Sequence, residues 1–249
     1  MVIPASKQQR DTRADEQCRG GRIHRDEARQ HTFESFNIES PADQYQASDR
    51  NCNNARHERQ RPHDRGLVAR GKILYLEGYL FDPPDAQEAF RAAAAIAHAA
   101  GRKVALTLSD PFCVERHRAA FLDLVQHHVD ILFANEAEIC ALYQVRDFDT
   151  AVSHVRGHCE LAALTRSAKG SVLVQGNRLH VVQAHPVDAV VDTTGAGDLY
   201  ASGVLYGLAQ GLDLPTCGRL GSLAAAEVIA HVGARPMVPL TELAAAVLG

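Results

Sequence analysis

The stretch VDTTGAGDLYASG, residues 191–203, sets two threonines, a Gly-Ala-Gly turn and an aspartate directly ahead of an apolar run. Gly195, Ala196 and Gly197 put no bulk over the backbone, and Leu199, Tyr200, Val204, Leu205 and Leu208 recur at helical spacing. With PVDAVV, 186–191, read as a short strand, the segment is a strand, a glycine turn and a helix start. The first amides of a helix lack carbonyl partners and lie at the positive end of its dipole. Such a turn suits a phosphate or a developing oxyanion, and Asp198 stands beside it as a carboxylate able to take a proton. An aspartate there would also stabilise a helix start with no chemical role. Two other phosphate loops are excluded: no Gly-Lys-Ser/Thr follows, and Tyr200 occupies the third glycine position of a dinucleotide-binding GxGxxG. A Rossmann-type dehydrogenase is disfavoured for that reason.

Further polar groups sit where apolar runs end: Ser109-Asp110 after VALTL, Asn135 with Glu138 after ILFA, Thr165-Arg166-Ser167 after LAAL, and Asp192, Thr194 and Asp198 after AVV. Asn135 followed three residues later by Glu138 is also a capping box, so a structural and a ligand-binding reading both stand. Four such groups on one rim combine an anion site with carboxylates and amides. That mixture suits a metal–nucleotide complex, because Mg²⁺ takes oxygen ligands and often meets carboxylates through water.

The elements that must carry these groups alternate. Strands are predicted at ILYLEGYL (73–80), KVALTLSD (103–110), VDILFA (129–134) and LAALTRS (161–167). SVLVQG and NRLHVVQA read as paired strands turning at Gly176-Asn177. Helices are predicted over 85–101, capped by Asp85 and closed by Gly101, over 114–128, 136–143 and the DTAVSHVRG segment, then 198–210, 215–231 and 240–248. Such exchange implies an α/β fold, a mostly parallel sheet with helices on both faces, whose ligands bind beyond the carboxyl ends of the strands.

DTTGAGDLYASG resembles the C-terminal signature of the ribokinase/PfkB family of sugar and nucleoside kinases. LEGYL, LTLSDPF, VDILFANEAEICAL, TRSAKGSVLV and LAAAEVIAHVGARP follow in that family's order over roughly 67–249. LSDPF followed by VDILFANEAE is similar to adenosine kinase-like members, which favours a nucleoside acceptor over a simple sugar. The resemblance implies a ribokinase-like three-layer fold and transfer of the γ-phosphate of ATP to a hydroxyl. It makes Asp198 the base, with Gly195, Ala196 and Gly197 as the anion hole. Asn135 and Glu138 would organise Mg²⁺ and the phosphates, Glu138 through water, and Thr165, Ser167 and Gly170 would bind the nucleotide. Asp192 and Thr194 would help hold a monovalent cation, K⁺. Phosphoryl transfer rests on alignment and charge neutralisation, which an amide cradle and a metal supply.

Residues 1–65 do not match the rest. They contain no leucine and carry 12 of the 26 Lys and Arg residues, and their few apolar residues are isolated. Such a segment is expected to be disordered, or aberrant through a shifted reading frame, with the kinase-like domain over 66–249. The family's opening strands, lid and acceptor-gripping Gly-Gly motif are not recognisable there, and Cys18-Arg19-Gly20-Gly21 is assigned no substrate role. Loss of those strands would expose a sheet edge and an apolar face, so a homodimer, aggregation or low stability is expected. A second function class follows as well: a nucleotide-binding remnant impaired in turnover.

The 249 residues are 46% hydrophobic and 22% charged with net charge −4, a balance that gives no sign of a nucleic-acid or membrane partner. Six scattered cysteines without metal spacing, and no long apolar run, suit a soluble protein of the reducing cytoplasm.

Overall fold

The structure, a computed structural model, describes residues 62–248; the expectations for residues 1–61 lie outside the described residues. Helix α1 (Pro62–Arg70) runs through Gly66, so the change of composition falls inside a helix. The elements then follow as β1 (Ile73–Glu77), α2 (Pro84–Ala99), β2 (Lys103–Thr107), α3 (Pro111–Arg116), α4 (Arg118–His127), β3 (Ile131–Asn135), α5 (Glu136–Tyr143) and α6 (Phe148–Val155). After these come β4 (Leu161–Thr165), β5 (Ser171–Gln175), β6 (Arg178–Val182), α7 (Ala196–Ala209), α8 (Leu214–Ile229) and α9 (Leu240–Leu248).

The six strands lie side by side in chain order; β1 to β4 are parallel, and β5 and β6 add antiparallel. Crossovers of one hand between neighbouring parallel strands put their helices on one face. There Leu106, Leu132 and Leu164 of the sheet pack with Phe90, Phe121, Leu124 and Ile139. Residues of opposite parity, among them Ala105, Phe133, Ala163 and Leu173, point the other way and meet Tyr200, Ala201, Val204 and Cys217 of α7 and α8. The result is three layers, with α7 and α8 forming the second helical one among the described residues.

α7 and α8 approach to backbone distance. A Cβ built on Gly203 would lie 2.6 Å from the Leu220 carbonyl oxygen, and one on Gly221 would lie 2.8 Å from that of Tyr200. Both are closer than any real side chain tolerates, so the crossing is made by glycine.

Three sequence expectations are corrected. PVDAVV is not a strand: it pairs with no ladder, Val190 and Val191 are 60% and 55% exposed, and the Val191 N–H donates to the Ile229 carbonyl of α8 at 2.8 Å. The helix expected over 114–128 is two, because Asp110 caps α3 early, accepting from the Phe112 and Cys113 amides, and His117 leaves helical geometry between them. Helix α2 begins at Pro84 with Pro83 at its cap, which leaves Asp85 in the first turn without a capping bond. The antiparallel β5–β6 hairpin turning at Gly176-Asn177 and the span of α5 agree with the sequence reading.

Candidate active site

Strand register decides which side chains meet. Glu77 ends β1 opposite Thr107 of β2, and Asn135 ends β3 opposite Thr165 of β4, which in turn faces Ser171 of β5. These strand ends form one lip of a cleft of about 1150 Å³; the first turn of α7 and the segment 184–190 form the other. Asn135, Glu138, Thr165, Ser167, Gly170, Gly195, Ala196, Gly197 and Asp198 all line it. Asp192 and Thr194 do not; Thr193 stands on the wall in their place.

Helix α7 is capped by Gly195 in left-handed geometry, φ 79°. An L side chain is strained there, and its Cβ would lie 2.8 Å from that of Ala234. The turn spends one amide on itself: the Ala196 N–H donates to the Thr193 carbonyl at 3.2 Å. Among the described residues the N–H groups of Gly195, Gly197 and Asp198 have no hydrogen-bond partner. An anion would therefore meet those three donors and the α7 dipole, with the exposed Asp198 carboxylate alongside. Asp192 works behind the turn. Its Oδ1 accepts from the Thr194 N–H (2.9 Å) and hydroxyl (2.7 Å), and its Oδ2 from the Gly233 N–H (2.9 Å). These donors hold its carboxyl down at about 2, with the Gly233 amide the largest cause.

The capping box at α5 is present in full. The Glu138 N–H donates to Asn135 Oδ1 (2.9 Å), the Asn135 N–H to Glu138 Oε2 (2.9 Å), and Asn135 Nδ2 to Glu138 Oε1 (2.6 Å). Glu138 is only 5% exposed, and burial pushes its carboxyl from an ordinary 4.5 up to about 7. The Asn135 amide opposes that shift, while the negative charges of Asp110 and Glu77 add to it. Ionisation is thus harder in the folded chain than in the unfolded one. The Glu138 contribution to stability is greatest below about pH 4.5 and is lost as pH rises through about 7, by up to about 3 kcal/mol. Denaturant titrations at pH 5 and pH 8 should show this decline in the wild type and not in Glu138→Gln, which keeps the acceptor for the Asn135 amide.

Glu77 is a site residue that sequence reasoning missed. It is half-buried in the lip, and Ser109, itself held in the left-handed region at φ 67°, donates its hydroxyl to Glu77 Oε1. Beneath it, burial first and then the negative charges of Glu77 and Asp198 push the Tyr75 hydroxyl up. An outlying φ at a cleft lip was the kind of signal needed, and that appears only in coordinates.

Among the described residues the cleft lining holds three carboxylates, Glu77, Glu138 and Asp198, one histidine, His185, and neither lysine nor arginine. A polyphosphate could enter such a site only with a cation and with the amide cradle. The donor set is all oxygen, as Mg²⁺ requires, and both Glu138 oxygens are already engaged by Asn135, so an ion would reach that carboxylate through water. The residues present fit the metal.

The family description "pfkB family carbohydrate kinase" matches residues 29–241. The chain belongs to the PfkB family. The match takes in 29–65, part of the stretch whose composition departs from the rest. An adenosine kinase from Sinorhizobium meliloti is 51% identical with a TM-score of 0.71, over 73% of this chain and 56% of that one. A probable sugar kinase from Rhizobium etli CFN 42 is 50% identical with a TM-score of 0.72, over the same shares. An uncharacterised sugar kinase from Archaeoglobus fulgidus is 36% identical over 120 residues, 47% of each chain. The PfkB chain thus spans about half the length of the relatives it matches, and its three layers are the ribokinase-like fold. Among the described residues no helix is long and apolar enough to cross a membrane, and Cys113, Cys140, Cys159 and Cys217 are free.

Proposed function

We propose that the chain is an ATP-dependent phosphotransferase that moves the γ-phosphate to a hydroxyl of a nucleoside, adenosine-like, or of a sugar. One observation carries this reading: Asp198 lies in the first turn of α7, at three amides that have no partner among the described residues, on the wall of a cleft whose described lining holds neither lysine nor arginine. The Gly195, Gly197 and Asp198 amides bind the transferring phosphoryl oxygens, and the α7 dipole favours the charge that develops there. Asp198 accepts the acceptor's proton late, when bond formation has made the hydroxyl acidic. Thr165, Ser167 and Gly170, on the opposite lip, hold the nucleotide. Asn135 and Glu138 orient the water shell of Mg²⁺, which when bound neutralises the phosphates. Asp192 and Thr194 brace the turn from behind, where a monovalent cation, K⁺, would add to that bracing.

The adenosine kinase from Sinorhizobium meliloti, 51% identical, supports a nucleoside acceptor; the equally similar probable sugar kinase keeps sugars in the panel. Coupled ADP-release assays with adenosine, ribose and fructose on the full chain are expected to show turnover with adenosine above the other two. Nucleotide binding without turnover on any acceptor would favour the second reading, a nucleotide-binding remnant. Absence of nucleotide binding would remove both.

A further inference from the structure

The bend that bears the amide cradle stands on no strand: residues 183–195 form neither helix nor strand. It is held from outside, by the end of α8 and the loop that follows. The Val191 and Asp192 amides donate to the Ile229 carbonyl at 2.8 and 3.4 Å, the Gly233 amide donates to Asp192, and Ala234 packs against Gly195. This loop has little apolar anchorage of its own, since Val232 and Met237 are 80% and 75% exposed. Polar contacts must set its position.

Those contacts converge on one side chain of α8. Glu227 is 9% exposed, and its Oε1 accepts from the Met237 N–H (2.7 Å) and the Val238 N–H (3.3 Å) and lies 3.3 Å from His231 Nε2. Its Oε2 is buried without a partner among the described residues. A buried carboxylate is costly to keep, and its contacts here go to the loop alone. From this we infer that Glu227 is a positioning residue for phosphoryl transfer: it seats the 231–238 loop, which in turn shapes the Asp192–Gly195 bend. Glu227 itself touches neither donor nor acceptor; it is not among the residues lining the cleft. The inference rests on the phosphotransferase reading, because the bend matters through the amides it aims.

The test compares wild type, Glu227→Ala, Glu227→Asp and Glu227→Gln in the full chain. Two readouts are used: steady-state kinetics with ATP·Mg and adenosine, and hydrogen exchange of single amides without ligand. Glu227→Ala should lower kcat about tenfold or more with little change in nucleotide KM, since small displacements of aligned groups cost rate. It should also speed exchange at Gly233, Met237 and Val238, and with them at Val191, Asp192 and Thr194, while amides of β3 and β4 keep their protection. Glu227→Gln, which retains an acceptor oxygen, should stay within about threefold of wild type in kcat. Should the alanine variant not fold, Glu227→Asp draws the carboxylate back by one methylene and is expected to show the same local pattern. Faster exchange confined to 231–238, a uniform loss of protection, or an unchanged kcat would each overturn the inference. An inactive wild type would refute the phosphotransferase reading, and the exchange arm would then still decide whether Glu227 shapes the bend.

Discussion

Asp198→Asn is expected to lower kcat for phosphate transfer by about 10³-fold while leaving nucleotide affinity within about threefold of wild type. The amide keeps the size and hydrogen-bonding reach of the side chain but cannot accept a proton from the attacking hydroxyl. Asp198 is exposed on the cleft wall and has no hydrogen-bond partner among the described residues, so its replacement breaks no internal contact. Its own backbone N–H stays in the cradle. Steady-state kinetics read the first quantity, and calorimetric titration with ADP·Mg reads the second. Turnover near the wild-type level would take Asp198 out of the role of base; a parallel loss of affinity would show that it holds the nucleotide instead.

A different pattern is expected for Gly195→Ala, where both quantities should fall. Gly195 sits at φ 79°, and an added methyl would lie 2.8 Å from the Ala234 Cβ and 3.1 Å from that residue's carbonyl oxygen. Left-handed backbone costs a side-chain-bearing residue about 1 kcal/mol, and the collision adds to it. The strain is relieved when the bend moves away from the loop, which turns the Gly195, Gly197 and Asp198 amides off the phosphate position. We expect kcat to drop by about 10²-fold and nucleotide binding to weaken measurably. Wild-type binding and rate in Gly195→Ala would mean that the cradle lies elsewhere in the cleft.

How far the sequence reaches can be judged from particular residues. Helix α5 was readable to the residue because its start signal is local: Asn135 and Glu138 are three apart and bond each other wherever the chain lies. The Gly-Ala-Gly turn was readable because small residues, a carboxylate and a helical stripe are contiguous. PVDAVV misled for the converse reason. Its valines look like a strand, but the backbone partner is Ile229 of α8, nearly forty residues on, and no local pattern reports that. Glu77 stayed hidden because its place follows from the β1–β2 register and from the turned-back Ser109. The division of the cradle amides was equally hidden, since only the folded turn shows that Ala196 donates to Thr193. Glu138 lay between these cases: its partner was evident, while the burial that shifts its titration depends on the whole sheet.

The glycine crossing of α7 on α8 governs how this cleft could adapt. With Gly203 and Gly221 in backbone contact, neither rod has slack to roll, and α7 carries the Asp198 carboxylate as a fixed fitting on a stiff keel. On the phosphotransferase reading, accommodation of an acceptor of different size would then fall to the facing wall, where Glu77 ends β1 and Tyr79 and Ser109 stand on short connections. Substrate preference in such a molecule should drift through changes on that wall, while the keel stays as it is.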